Sequence, residues 1–316
     1  MKKQISRRDF LKIAGGAVVT VAGAGLLPQF LRKTLMPEQV VAAAAGEYDL
    51  FFAGTDGWMY LPGSTPPYHP DTLAPSPFTT YIFGFRNLTG LDPAVDTDII
   101  ASQKNKAQHS APLWWVDQFD PAAPKDFNVL LTNLGLALRP DLVDSHTLHW
   151  HGFRNVIPYY DGEPTGSISV PVNRFFTYVY RPHEPGTYMY HCHVEDIEHV
   201  TMGMTGIVFV RPLQNKYGNG AGAPLARAGG ASSGPLGYVY NDGVALGDPK
   251  STAYDREFPM FLSEVWAQGH WNDAHIQESD WSLFKADYSL LNGRVYPDTL
   301  APQGGGRDSL TGDLIA

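Results

Sequence analysis

The only cysteine among 316 residues lies between two histidines, in YHCHVEDIEHVTMGM, where His191-Cys192-His193 is followed by His199 and Met204. A soft thiolate, imidazoles and one weak thioether form the donor set of a blue-copper electron-transfer centre. A structural zinc site wants more than one cysteine or a second paired-ligand cluster. A second string, DSHTLHWHGF, places His146, His149 and His151 within six residues. Side chains alternate between faces along an extended strand. His149 and His151 therefore share a face, and His146 tends to the other. His191 and His193 share a face, and Cys192 points away from them. The parity sorts both strings alike: His146 and Cys192 can meet at one copper, and the pairs 149/151 and 191/193 at another centre. Cys192 is bonded to both neighbouring histidines, which gives an electron a short through-bond route between the two.

These strings resemble the signatures of the multicopper oxidases. HTLHWHG is similar to the family's H-x-x-H-x-H-G string, and HCH with a following His and Met to its second signature. YYDGEPTGSISVPVNRFFTYVYRPHEPGTYMYHCH is similar to the family's connecting region. The resemblance covers residues 48–300 and is strongest over 144–210. It implies that His146, Cys192, His199 and Met204 hold a type 1 copper. It also implies that His149, His151, His191 and His193 are half the ligands of a trinuclear type 2/type 3 cluster. Asp161 matches an acidic residue that, in the family, lies near that cluster and aids proton delivery.

The spacing departs from the family at one point. The type 1 histidine usually follows the cysteine by five residues, a place held here by Ile197, whereas His199 lies seven away. The step from His199 to Met204 is the familiar five. A loop two residues longer accounts for this, since loops tolerate insertion. Met202 is the rival axial donor and fits the spacing less well. Copper nitrite reductases resemble the chain at the type 1 site, but in that family aspartate tends to stand at the place of His149 and alanine at that of His193. The two extra histidines favour a trinuclear cluster over a lone type 2 copper.

The elements that must position these residues read as strands. TTYIFGF, FNVLLTNL, RFFTYVY, GTYMYHCH and MTGIVFV are short β-branched and aromatic runs between turn signals. Such spacing predicts an all-β, cupredoxin-like Greek-key β-sandwich over residues 46–212. Residues 213–236 are rich in Gly, Ala and Ser and read as a linker or surface loop. Residues 237–316 look like the start of a second cupredoxin domain that is incomplete, because about 80 residues remain where a sandwich runs to ~100 or more. The expectation is therefore a C-terminally truncated chain whose full-length form supplies four further histidines.

Other residues read more plainly. His270 and His275, the only histidines after Met204, read as surface or rim residues. His69 and His109 stand in loop-like settings, and His183 in a solvated turn. Trp114 and Trp115 read as core or lid, and Trp150 as packing opposite the ligand histidines. Glu195, Asp196 and Glu198 crowd the lengthened loop, as a solvated acidic rim or a docking patch for substrate or metal ion.

The N-terminus, residues 1–45, carries SRRDFLK ahead of an apolar stretch from Ile13 to Leu27 and looks like a twin-arginine export signal. That stretch is shorter than the ~20 residues of a membrane span. A periplasmic, cell-envelope or extracellular destination follows, without a stable membrane span after cleavage. A lone cysteine excludes an intrachain disulfide. The net charge of −9 argues against nucleic-acid binding through a basic surface and modestly favours cationic or neutral substrates.

The expected function is that of a laccase-like oxidase, coupling one-electron oxidation of phenols, aryl amines or metal ions to four-electron reduction of O2 to water. The resemblance to two-domain oxidases implies a homotrimer when full length, with clusters shared between chains. The alternatives are a nitrite reductase-like enzyme, or a blue-copper electron-transfer protein if the chain is complete.

Overall fold

Two four-stranded sheets carry the ligand strings, ordered β2-β1-β4-β6 and β3-β8-β7-β5. The strands are β1 Leu50–Met59, β2 Thr80–Asn87, β3 Trp114–Asp117, β4 Phe127–Gly135, β5 His149–Trp150, β6 Phe175–Tyr180, β7 Gly186–His191 and β8 Thr205–Arg211. The computed structural model describes residues 48–152, 157–217, 237–244, 247–255 and 257–300. The export-signal residues 1–45 and most of the expected linker lie outside the described residues.

β1 runs parallel to β4 and β3 parallel to β8, and the remaining neighbours are antiparallel. The chain crosses between the sheets at every connection from β2 to β7, the Greek-key path of an all-β, cupredoxin-like sandwich. Alternation along β3 buries Trp114 and Val116 and exposes Trp115 and Asp117.

The sheets meet through aromatic rings. Trp150 of β5 stacks on Tyr180 of β6 with centroids 3.8 Å apart, and Phe52 of β1 lies 6.1 Å from Trp114 and 6.2 Å from Tyr190. Such pairs contribute about 0.5–1.5 kcal/mol each beyond the area they bury. β1 is buried on both faces, because Phe51 and Ala53 pack outward on Leu88, Ile100 and Leu130. At the end of the sandwich, buried Asp56 accepts hydrogen bonds from Tyr81 Oη and from the amides of Ala137 and Leu138. Those contacts fix the turn after β4, which leads to the first histidine string.

Residues beyond 236 add two two-stranded sheets, β9 Gly237–Tyr238 with β10 Ala253–Tyr254, and β11 Leu262–Val265 with β12 Tyr288–Leu291. Val265 and Leu290 share a core with Met59, Leu61, Ile82 and Ala107. The helix Ala267–Ala274 packs against β2. Ala267, His270 and Ala274 recur at the spacing of one helical face, and all are buried. His270 is therefore not a rim residue. It is fully buried, with Nδ1 2.6 Å from the Tyr81 carbonyl. His275 is half-buried, with Nε2 3.1 Å from Asp71 Oδ1. His69 is also a core histidine, held by Thr80 Oγ1 and the Leu61 carbonyl. No helix among the described residues is long and apolar enough to cross a membrane.

Candidate metal centres

Three segments bring His146, Cys192 and His199 together. His146 forms a bridge with Val170, Cys192 follows β7, and His199 lies on the helix Asp196–Met202. Cys192 Sγ is 3.3 Å from His199 Nδ1 and 3.9 Å from His146 Nδ1. All three side chains are buried, and one donor atom from each lies within 4.8 Å of the others.

The surroundings fix this group. The Thr147 amide donates to Cys192 Sγ at 3.4 Å. Buried Asn133 donates from Nδ2 to the carbonyls of Asp144 and Val170, which holds the segment carrying His146. A Cβ at Gly54 on β1 would stand 2.4 Å from the His146 ring, so only glycine admits the imidazole there.

The two extra residues before His199 form part of a helix. Residues two apart on a helix point about 200° apart. If His199 faces the core, Ile197 must face solvent, and it is 66% exposed while His199 is fully buried. Asp196 and Glu198 lie in the first turn, where acidic side chains suit the helix dipole. Gly203 closes the helix at φ 124°, a backbone that favours glycine. Met204 is tied to both partners through its backbone, since its carbonyl accepts from the Cys192 amide and its amide donates to the His199 carbonyl. Met202 and Met204 are both fully buried.

Burial pushes the Cys192 thiol up to about 11. It pushes His199 down to about 4, and His146 well below the ordinary imidazole value. Two neutral imidazoles and a thiol that cannot ionise alone form a dry pocket that a cation reverses, because bound metal takes the thiol as thiolate. The donor types fit copper. His199 Nε2 lies 3.9 Å from Asp144 Oδ2, and neither atom has a hydrogen-bond partner among the described residues.

The second group occupies the pairing of β5 with β7. His149 is in register with His191, and His151 Nε2 lies 2.8 Å from His191 Nε2. One donor atom each from His149, His151 and His191 lies within 4.8 Å of the others. The His193 ring is 4.9 Å from that of His149 and 5.5 Å from that of His191. His149 Nδ1 donates to the Asp161 carbonyl at 2.7 Å, and His191 Nδ1 to the Cys192 carbonyl at 2.7 Å. A carbonyl can only accept, so the hydrogen sits on Nδ1 and Nε2 is left for a metal in both rings. Burial pushes His191 down to about 4. Asp161 Oδ2 is 3.5 Å from His149 Nδ1.

The strand parity read from the sequence thus describes the arrangement found. Trp150 packs away from the histidines, against Trp114 and Tyr180. The sequence did not single out Thr147, Asn133, Asp144 or Arg139. Thr147 lies inside the histidine string, but only the fold shows that its amide meets the sulfur.

Residues 132–215, roughly a quarter of the chain, match the family model described as multicopper oxidase. The chain is similar to the blue copper oxidase from Nitrosomonas europaea, at 21% identity and TM-score 0.46, over 78% of this chain and 54% of that one. It is similar to the multicopper oxidase mgLAC at 20% identity and TM-score 0.46, over the same 78% and 54%. It also resembles the copper nitrite reductase from Nitrosomonas europaea, at 16% identity and TM-score 0.39, over 80% and 58%. The chain spans about half the length of these structures. No curated protein matches it.

Proposed function

We propose that the protein is a copper oxidase of laccase type, which couples one-electron oxidation of phenols, aryl amines or metal ions to four-electron reduction of O2 to water. The observation that carries this reading is the single string His191-Cys192-His193, whose sulfur groups with His146 and His199 while its two imidazoles stand beside His149. A copper at each would supply one-electron exchange and O2 binding.

His146, Cys192 and His199 would hold the type 1 copper, with Met204 as axial donor. His149, His151, His191 and His193 would give half of a trinuclear cluster. The rest would come from a further cupredoxin domain or a neighbouring chain, as in a homotrimer. The reading of residues 237–316 as the opening of such a domain belongs to this proposal. So does export by the twin-arginine route. Asp161, beside His149 Nδ1, would hold a proton for release toward reduced oxygen.

Two histidines, His149 and His193, support O2 rather than nitrite as acceptor. Copper loading followed by visible spectroscopy and oxygen uptake with a phenol tests the reading. A blue band together with O2 consumption is expected. A blue protein that passes electrons to nitrite and not to O2 would replace it.

A further inference from the structure

Thr147 lies at the seam of the two histidine groups. It follows His146 in the chain and is fully buried. Its amide donates to Cys192 Sγ at 3.4 Å. Its hydroxyl oxygen accepts from the His193 amide at 2.8 Å. Cys192 supplies the sulfur of one group, and His193 an imidazole beside the other. One threonine thus ties both to the strand segment that carries His146.

The hydroxyl has capacity for a second bond. A threonine hydroxyl carries one O–H donor beside its acceptor lone pairs. The His193 amide takes a lone pair, so the O–H remains to donate, and buried polar groups find partners. The Cys192 sulfur is within its reach. Burial is the largest influence on that thiol and pushes it up, while Thr147 works against burial with both its amide and its hydroxyl. β-Branching leaves threonine few χ1 rotamers, and the contact with the His193 amide selects among them. The O–H is therefore held in place before any metal arrives.

The thiol's own hydrogen is directed at the Val194 carbonyl, 3.8 Å away. That hydrogen leaves when a metal takes the thiolate, whereas the two Thr147 donors stay. A donated hydrogen bond draws electron density toward itself and weakens the sulfur as an electron donor to the metal. The oxidised metal needs that donation more than the reduced one does, so reduction is favoured. Hydrogen bonding around the cysteine sulfur is one of the controls on the potential of a blue-copper site.

Resting on the reading of His146, Cys192 and His199 as a type 1 copper site, we infer that Thr147 is a positioning residue for it: the hydroxyl, anchored by the His193 amide, gives Cys192 Sγ a second hydrogen bond and raises the readiness of the copper to accept an electron.

Redox titration of the copper-loaded chain, followed at the blue band, tests this on the parent and on Thr147→Val, Thr147→Ser and Thr147→Ala. Valine keeps the branched shape and loses the hydroxyl, serine keeps the hydroxyl and loses the methyl, and alanine loses both. Thr147→Val and Thr147→Ala should lower the equilibrium constant for reduction by about tenfold, which is about 59 mV for a one-electron couple. Thr147→Ser should stay near the parent. A role in packing alone predicts a different order, with serine and alanine alike because both lack the methyl, and a difference seen in thermal melts rather than in potential. Serine and alanine differ only by the hydroxyl, so that pair decides the matter even if Thr147→Val fails to fold. Equal potentials in Thr147→Ser and Thr147→Ala, or a higher one in Thr147→Ala, overturn the inference and leave the blue site standing. A parent that stays colourless with copper removes the type 1 reading itself, and the inference with it.

Discussion

The Cys192 group and the four-histidine group are joined by single peptide bonds at Cys192 but are built in opposite ways. His146, Cys192 and His199 have essentially no exposed surface, and Thr147, Asn133 and Gly54 hold or make room for them. The second group lies on an open face: His151 is exposed and His193 half-buried, and only His149 and His191 have their rings oriented by carbonyls. The contrast teaches that the first site is finished within one sandwich. The second leaves its donors on an open face.

The largest expected effect breaks the first region. Cys192→Ser removes the copper–thiolate bond on which the blue colour depends, so visible absorption should vanish. His199→Ala should weaken copper by more than the ~10–100-fold that loss of a supporting partner costs. The matching change at the usual spacing, Ile197→Ala, should leave colour intact and stability within about 0.5 kcal/mol, because Ile197 faces solvent. Visible spectra and copper titration of the pair decide which residue is the ligand.

Next in size is a change beside the second region. Asp161→Asn should keep copper content and fast reduction of the blue site yet slow O2 turnover by about 10²–10⁴-fold, the usual worth of a positioned proton donor. Normal turnover in stopped-flow and oxygen-uptake measurements would leave Asp161 as a residue that only orients His149 through its carbonyl.

A pH titration sharpens the comparison without mutation. Copper binding at Cys192 must expel the thiol proton, held there up to a pKa of about 11. Affinity at that site should therefore rise by about tenfold per pH unit across the neutral range. His191, pushed down to about 4, is already neutral at pH 6 and has no proton to lose. Binding measured through it should rise far less steeply. Equal slopes at both sites would mean that the Cys192 pocket is not dry.

How much of this was legible in the sequence differs between the two regions as well. Period-two alternation placed six residues, His146, His149, His151, His191, Cys192 and His193, in the two groups that the structure brings together, because strand geometry leaves few choices over so short a span. His199 was legible as a residue type but not as a conformation. A loop two residues longer was expected, and a helix does the work, ended by Gly203. His270 was misread because its burial depends on a helix docking on β2, and a lone histidine carries no sign of its partner. The acidic rim was visible only in part: Glu195, Asp196 and Glu198 line a cavity together with Asp273 and Arg139, which come from distant segments.

The smallest effect separates the two methionines. Met204 is tied through its backbone to both Cys192 and His199, whereas Met202 is the buried last residue of the helix. Met204→Leu should keep the blue colour and raise the reduction potential, since a weak thioether donor is lost and the surroundings become more apolar. Met202→Leu is a volume-conserving core change and should cost less than about 1.5 kcal/mol, with the potential unmoved. Redox titration and thermal melts of both variants are the measurements. A shifted potential in the Met202 variant alone would exchange their roles and place the axial donor on the helix itself, two residues closer to His199 in sequence.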